Sequence, residues 1–388
     1  MRLAIVGGGM RGMEATYLAK KAGFETITID RRDSTPAFSL SDEFEILDPV
    51  RQESEAKKLF GDCDAVIPTC GNVELLAKLD EMLRYSTTPF LFDMDSYTVA
   101  SSKFASNSMM EMAGIPIPKG WKHCGFPKII RPSSQIGGRG VTIAYDEKDM
   151  AEGIDKILMM GDDPVIQQLE EGRTVSMEVI GNGSGTASYA ATEMFFDTNL
   201  ECKRVICSPS VLSEKREEEF RRIVEAIADN IDLMSLMNIV ATDTENGLKV
   251  MELAASIPSQ TPSAVLAATG VNILEELVRS KTGHVPRTSR SKDLASSYEH
   301  FIIKEGKIRA CSEKEFAGVQ FPRVIKGMFG ADEIITDLKD GKDVWRCTMI
   351  LSARNEDESE RKRKRCIEKM IEECDIREFT DTSPEMPR

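Results

Sequence analysis

Glu252 lies on an apparent strand, Leu248–Leu253, just before the segment Ile257-Pro258-Ser259-Gln260-Thr261-Pro262. Well upstream is a glycine-rich turn, Gln135-Ile136-Gly137-Gly138-Arg139-Gly140-Val141. Glycines between two strands let backbone N–H groups approach phosphate oxygens without a side-chain clash. Arg131 precedes that turn on a strand, and Lys103 follows Ser101-Ser102. Cations from separate elements can converge on a polyphosphate. A lone strand glutamate is more often a surface residue. Its place before the Pro-Ser-Gln-Thr-Pro loop instead makes Glu252 the best candidate for a carboxylate on Mg²⁺, a cation that takes hard oxygen ligands. The chemistry these residues suggest is phosphoryl transfer from a nucleotide. Gly137, Gly138 and Gly140 would cover the phosphates, Lys103 and Arg131 would bind them, and Arg131 and Glu252 would be catalytic.

Val165–Leu169 reads as a strand running into Glu170-Glu171-Gly172. Gln167, Gln168 and Leu169 are the expected adenine hinge, where backbone groups matter more than side-chain identity. Ser176 and Glu178 are two residues apart on the next strand and therefore share a face, toward substrate or solvent. Gly7-Gly8-Gly9-Met10-Arg11-Gly12 resembles a dinucleotide fingerprint, and Asp30 ends the second strand. A lone glycine fingerprint is weak evidence. We expect these glycines to serve a tight strand-to-helix turn and not an NAD site.

The elements that must position these residues follow from the pattern along 388 residues, enough for two or three domains. Leu3–Val6, Glu25–Asp30, Ala65–Pro68 and Phe90–Asp93 read as strands, with helices at Met10–Ala22 and Val73–Leu83. Residues 1–95 thus form a small doubly wound domain. Residues 96–185 carry a helix from Ser101 to Ala113, strands at Lys128–Arg131 and Val141–Tyr145, a helix at Asp149–Met159, and strands at Val165–Leu169 and Thr174–Gly181. That order suits a small α+β nucleotide lid. Residues 186–355 add a charged helix, Glu214–Asn230, a helix near Ile273–Ser280, and a hairpin through Asn246-Gly247, a pair that favours a type I′ turn. Residues 356–388 read as a charged segment and a disordered tail from Asp381. The basic run Arg361–Arg365 reads as a solvated helix face.

Net charge is −14, which argues against bulk-charge binding of nucleic acid. No run of about 18 apolar residues suggests a membrane span, and the first residues lack the signature of a signal peptide. A cytoplasmic location is expected. The nine cysteines show no CxxC pair, and the three histidines stand far apart. Reduced thiols are expected, without a zinc site.

The order of these motifs resembles the ATP-grasp ligases of pyrrolysine biosynthesis, the 3-methyl-D-ornithine:L-lysine ligase family. The likeness runs to about residue 350. It is carried by Gly7-Gly8, Gly12-Met13-Glu14-Ala15, Ser41-Asp42-Glu43-Phe44, Phe90-Leu91-Phe92-Asp93, Val175–Gly181, Ile257–Pro262 and Tyr298-Glu299-His300. The resemblance implies an ATP-grasp fold, α/β and α+β, behind a doubly wound Rossmann-like N-terminal domain. It implies ATP and Mg²⁺ as cofactors and small-molecule amino acids as substrates. A carboxylate would be activated as an acyl phosphate and taken by an amine. Ser176 and Glu178 would sit near the ornithine-like acid, and Ser259, Gln260 and Thr261 would line the substrate end. A homo-oligomer is the expected assembly, with neither nucleic acid nor membrane as a partner.

The chain departs from the family's pattern where acidic residues are usual: Asn238, Val240 and Ala254 stand there, and Ser256 replaces an arginine. Asp197, Glu193 and Asp243 are the candidates to replace the missing carboxylates. The alternative function is a catalytically silent homologue that binds nucleotide, amino acid or a partner enzyme.

Overall fold

The computed structural model describes residues 1–135, 138–339 and 342–383. The chain opens with a parallel sheet in the order Glu43–Ile46, Glu25–Asp30, Arg2–Val6, Ala65–Pro68. Its central strand, Arg2–Val6, is apolar and buried beyond its first residue, as a strand covered on both faces must be. The turn into the helix Met10–Lys21 explains the early glycines. A Cβ on Gly12 would lie 2.0 Å from the Gly7 carbonyl oxygen, and one on Gly8 would lie 2.0 Å from Thr35 Oγ1. Asp30 accepts from the Gly8 N–H at 2.8 Å and pairs with Arg32. Asp30 is therefore occupied in bracing the turn.

One expected strand is absent. In Phe90–Asp93 only Phe90 bridges Val66, and Asp93 instead caps the helix Met94–Ala100 by accepting from the N–H groups of Asp95 and Ser96.

The small lid sheet has the order Thr142–Ala144, Lys128–Pro132, Pro164–Gln168, with helix Glu147–Met159 packed on it through Ile130 and Ile157. The strand Arg173–Gly181, expected within this lid, belongs elsewhere. It is an inner strand of the large sheet, paired with Leu236–Thr244 on one side and Thr192–Phe196 on the other. The helix Thr261–Thr269 lies against that sheet. One core joins it to the N-terminal helix through Ala264, Val265, Ala15 and Leu18.

The C-terminal segment is more tightly held than its charge suggests. It forms a helix, Glu356–Glu373, and a short strand, Glu378–Thr380, on the edge of Lys307–Ala310. Arg363, from the run expected to be solvated, is buried against Glu299 with two bonds of 2.5 and 2.6 Å. Asp381, expected in a disordered tail, pairs with Arg363 at 3.1 Å and with Lys203 at 2.6 Å. Among the described residues, no helix is long and apolar enough to cross a membrane.

Candidate active site

Lys103, Arg131 and Glu252 come from three elements and converge where the lid meets the large sheet. Lys103 begins the helix Lys103–Met112, whose N-terminus is capped by Ser102. Its ammonium donates to the Gln135 carbonyl, at the start of the glycine turn. Burial lowers its pKa; Glu252 opposes that shift and Arg131 adds to it. Arg131 is 6 % exposed and donates to the Met251 carbonyl at 2.9 Å and to Gln167 Oε1 at 2.5 Å. Its Nε meets no partner among the described residues. Burial also lowers the Arg131 pKa, and Glu252 opposes the shift. Glu252 itself is half-buried. Two buried cations with donors to spare, facing one carboxylate, are suited to an added polyanion.

The glycine turn has a packing reason as well. A Cβ on Gly138 would lie 2.6 Å from the carbonyl oxygens of Asn199 and Leu200, and Gly140 has φ +79° against Pro132. The turn thus reaches across to the connection between strands Thr192–Phe196 and Cys202–Cys207 of the large sheet. Gly137 lies outside the described residues. Gly138→Val should displace this turn and weaken ATP binding by about tenfold, as loss of a charge-assisted contact does. Titration calorimetry would read it, and unchanged affinity in a folded variant would remove the turn from the nucleotide site.

The adenine-hinge expectation needs correction at its side chain and its amides. Gln167 is 3 % exposed, holds Arg131, and donates to the Pro118 carbonyl at 3.3 Å. It positions the guanidinium and does not face an open cleft. The N–H groups of Gln168 and Leu169 are bound to the carbonyls of Lys119 and Pro127.

On the large sheet, Ser176 and Glu178 share a face, opposite Val240 and Asn238 of the neighbouring strand. Ser176 is fully buried and bonded to Thr192 at 2.7 Å. Glu178 accepts from Asn238 at 3.1 Å and from the Thr261 hydroxyl, while its Oε2 meets no partner among the described residues. Burial drives its pKa up to about 7, with those bonds opposing. Ser259, Gln260 and Thr261 diverge. Ser259 donates to Glu313 at 2.5 Å, Gln260 Oε1 accepts from the Cys202 thiol at 3.0 Å, and Thr261 reaches Glu178. Gln260 holds φ +80°, a conformation costing a side-chain-bearing residue roughly 1–3 kcal/mol and found disproportionately at functional sites.

Sequence reasoning missed a cluster at the border with the N-terminal domain. Arg11 donates to Ser256 Oγ at 3.2 Å, so a guanidinium returns to the position from which an arginine is missing. Glu14 is buried, accepts from Ser263 N–H at 3.1 Å and from the Tyr298 hydroxyl at 3.3 Å, and is pushed by burial to about pKa 7. Glu313 is also raised by burial, with Ser259 and Arg11 opposing. Glu14 and Tyr298 stood in stretches of family likeness; Glu313 carried no local signal.

The proposed replacement carboxylates do not gather at Glu252. Glu193 and Asp243 pair with Arg173, and Asp197 accepts from the N–H groups of Asn199 and Glu201 in its own turn. Among the described residues, no group of three or more His, Cys, Asp or Glu could hold a metal. The donor set fits a phosphate chain; it does not fit a magnesium ion held by protein ligands alone.

The lid and the large sheet meet at these convergent cations, Arg131 of one bonded to the Met251 carbonyl of the other. Residues 91–285 match the family described as carbamoyl-phosphate synthase L chain, ATP binding domain, and residues 3–89 match the PylC-like N-terminal domain. The chain belongs to the ATP-grasp ligases with a PylC-like N-terminal domain. It is 30% identical to the 3-methyl-D-ornithine–L-lysine ligase of Methanosarcina acetivorans over 304 residues, 78% of this chain and 80% of that protein. Its fold is similar to biotin carboxylase from Campylobacter jejuni, with TM-score 0.75 and 15% identity over 95% of this chain and 91% of the other. It also resembles N5-carboxyaminoimidazole ribonucleotide synthetase from Thermotoga maritima, with TM-score 0.67 and 18% identity over 95% and 98% of the two chains.

Proposed function

We propose that the chain is an ATP-dependent carboxylate–amine ligase joining a 3-methyl-D-ornithine-like acid to the side-chain amine of lysine. The observation that carries this reading is the meeting of Lys103, Arg131 and Glu252, with a buried carboxylate, Glu178, two strands away on the same large sheet. A carboxylate oxygen of the acid attacks the γ-phosphorus of ATP, and ADP leaves. Lys103 and Arg131 offset charge on the phosphates, the main demand of phosphoryl transfer. The amine then attacks the acyl carbon, inorganic phosphate leaves, and the amine loses a proton. Glu178, whose Oε2 meets no partner among the described residues and whose pKa burial raises to about 7, is suited to take it. No step is assigned to a protein-bound metal; Mg²⁺ would enter with the nucleotide.

The expected result is ADP release from ATP and Mg²⁺ with D-ornithine and L-lysine. Hydroxylamine in place of lysine should give the hydroxamate, because it attacks the same acyl phosphate. Glu178→Gln should keep acid-dependent hydroxamate formation and lower peptide-type coupling to lysine by about a hundredfold, the usual scale for a general base. The wild-type coupling rate should rise with pH through about 7, as Glu178 becomes the carboxylate. Absence of both ADP and hydroxamate would favour the silent homologue, a reading supported by the uncharged Asn238, Val240 and Ala254 around Glu252 on the paired strands.

A further inference from the structure

A cavity of about 280 Å³ lies behind the substrate end, apart from the nucleotide residues. Its lining includes Tyr189, Arg221, Arg290, Val265, Val271 and Thr269. At about 30 Å³ per water in the liquid, it has room for a small metabolite. Tyr189 is 3 % exposed, and its hydroxyl meets no hydrogen-bond partner among the described residues.

The two guanidiniums come from separate elements. Arg221, on the helix Glu214–Asn230, is oriented by Ser188 Oγ at 2.9 Å. Arg290 lies on a loop tied to the end of helix Thr261–Thr269, where the Ser291 and Lys292 N–H groups bond the Thr269 carbonyl at 2.9 and 3.0 Å. Both arginines donate to the same oxygen of Glu217, each at 3.1 Å. Asp293 stands 3.7 Å from Arg290 and is largely exposed. A guanidinium has five N–H donors, so one shared carboxylate leaves several of them available. Val265 and Val271 supply an apolar wall. Two cationic forks and an apolar wall match a short-chain carboxylate.

We propose that this cavity binds a small monocarboxylate, with its charged end on Arg221 and Arg290 and its chain toward Tyr189. The cavity shares elements with the substrate end. Thr261, at the start of the helix whose Val265 and Thr269 line the cavity, holds Glu178, and the Tyr189 N–H donates to the Glu178 carbonyl at 3.0 Å. An occupant would therefore bear on the position of Glu178. This inference goes beyond the ligase reading, because binding is measured without turnover.

The test is titration calorimetry of the full chain with valerate, beside neutral pentanamide and inorganic phosphate. Saturable binding of valerate and none of pentanamide is expected. Arg290→Ala, on an exposed loop, should weaken valerate about tenfold or more, the scale of a lost charge-assisted bond. Tyr189→Phe keeps the ring beside the chain and should leave valerate affinity unchanged. No saturable valerate binding, equal binding in Arg290→Ala, or saturable phosphate binding in place of valerate would each overturn the assignment.

Discussion

Arg131→Met should lower acid-dependent ATP turnover by about a thousandfold, the upper range for removing one preorganised donor from a developing charge. Arg131 is the group best placed for this role. It is buried, its Nε meets no partner among the described residues, and Gln167 and the Met251 carbonyl fix its plane. Met keeps much of the side-chain length and removes the charge. Arg131→Lys keeps a point charge but loses the fork, and should retain most of the activity that Arg131→Met loses. Glu252→Gln should resemble Arg131→Met, because the carboxylate then ceases to balance two buried cations. Initial rates of ADP release with circular dichroism would decide it. Turnover within a few-fold of wild type in a folded Arg131→Met would place the phosphate site elsewhere.

Glu299→Gln should destabilise the chain by about 3 kcal/mol, the lower end for breaking a buried pair, because Arg363 keeps Asp381 and Glu360 as more exposed partners. Glu299 is fully buried, takes two bonds from Arg363, and lies 3.9 Å from Arg204. The paired replacement Glu299→Met with Arg363→Met should cost much less, since the desolvation of both charges is then avoided. Urea unfolding of the three proteins would compare them. Equal costs for the single and double variants would mean that Glu299 stabilises by shape and not by charge.

Where local pattern decides structure, the sequence was a sufficient guide. The helices Val73–Leu83 and Glu214–Asn230 have the bounds their spacing implies, and a hairpin does join Leu236–Thr244 to Gly247–Ala254, but its loop is Glu245-Asn246 and only Gly247 holds positive φ, so the turn is not type I′. Phe90–Asp93 misled because a short apolar run fits a strand or a buried approach to a helix equally well. Asp93 was the unread signal, a capping residue just before Met94–Ala100. The strand Arg173–Gly181 went to the wrong sheet because partner choice is set by residues far along the chain. The site was legible in part for the same reason. Lys103, Arg131 and Glu252 sit in recognisable local contexts. Arg11 and Ser256 are 245 positions apart, and nothing near either announces their contact.

The attachment of Arg131 has a consequence for timing. This side chain rides on the lid strand Lys128–Pro132 yet is bonded to the Met251 carbonyl, next to Glu252 on the other sheet. If the lid swings away, the guanidinium leaves with it. An open molecule would then keep Glu252 but lack its neighbouring cation, and would be a poor catalyst for transferring phosphate to stray water. Opening and disarming become one movement, so idle nucleotide consumption is limited without a separate safeguard.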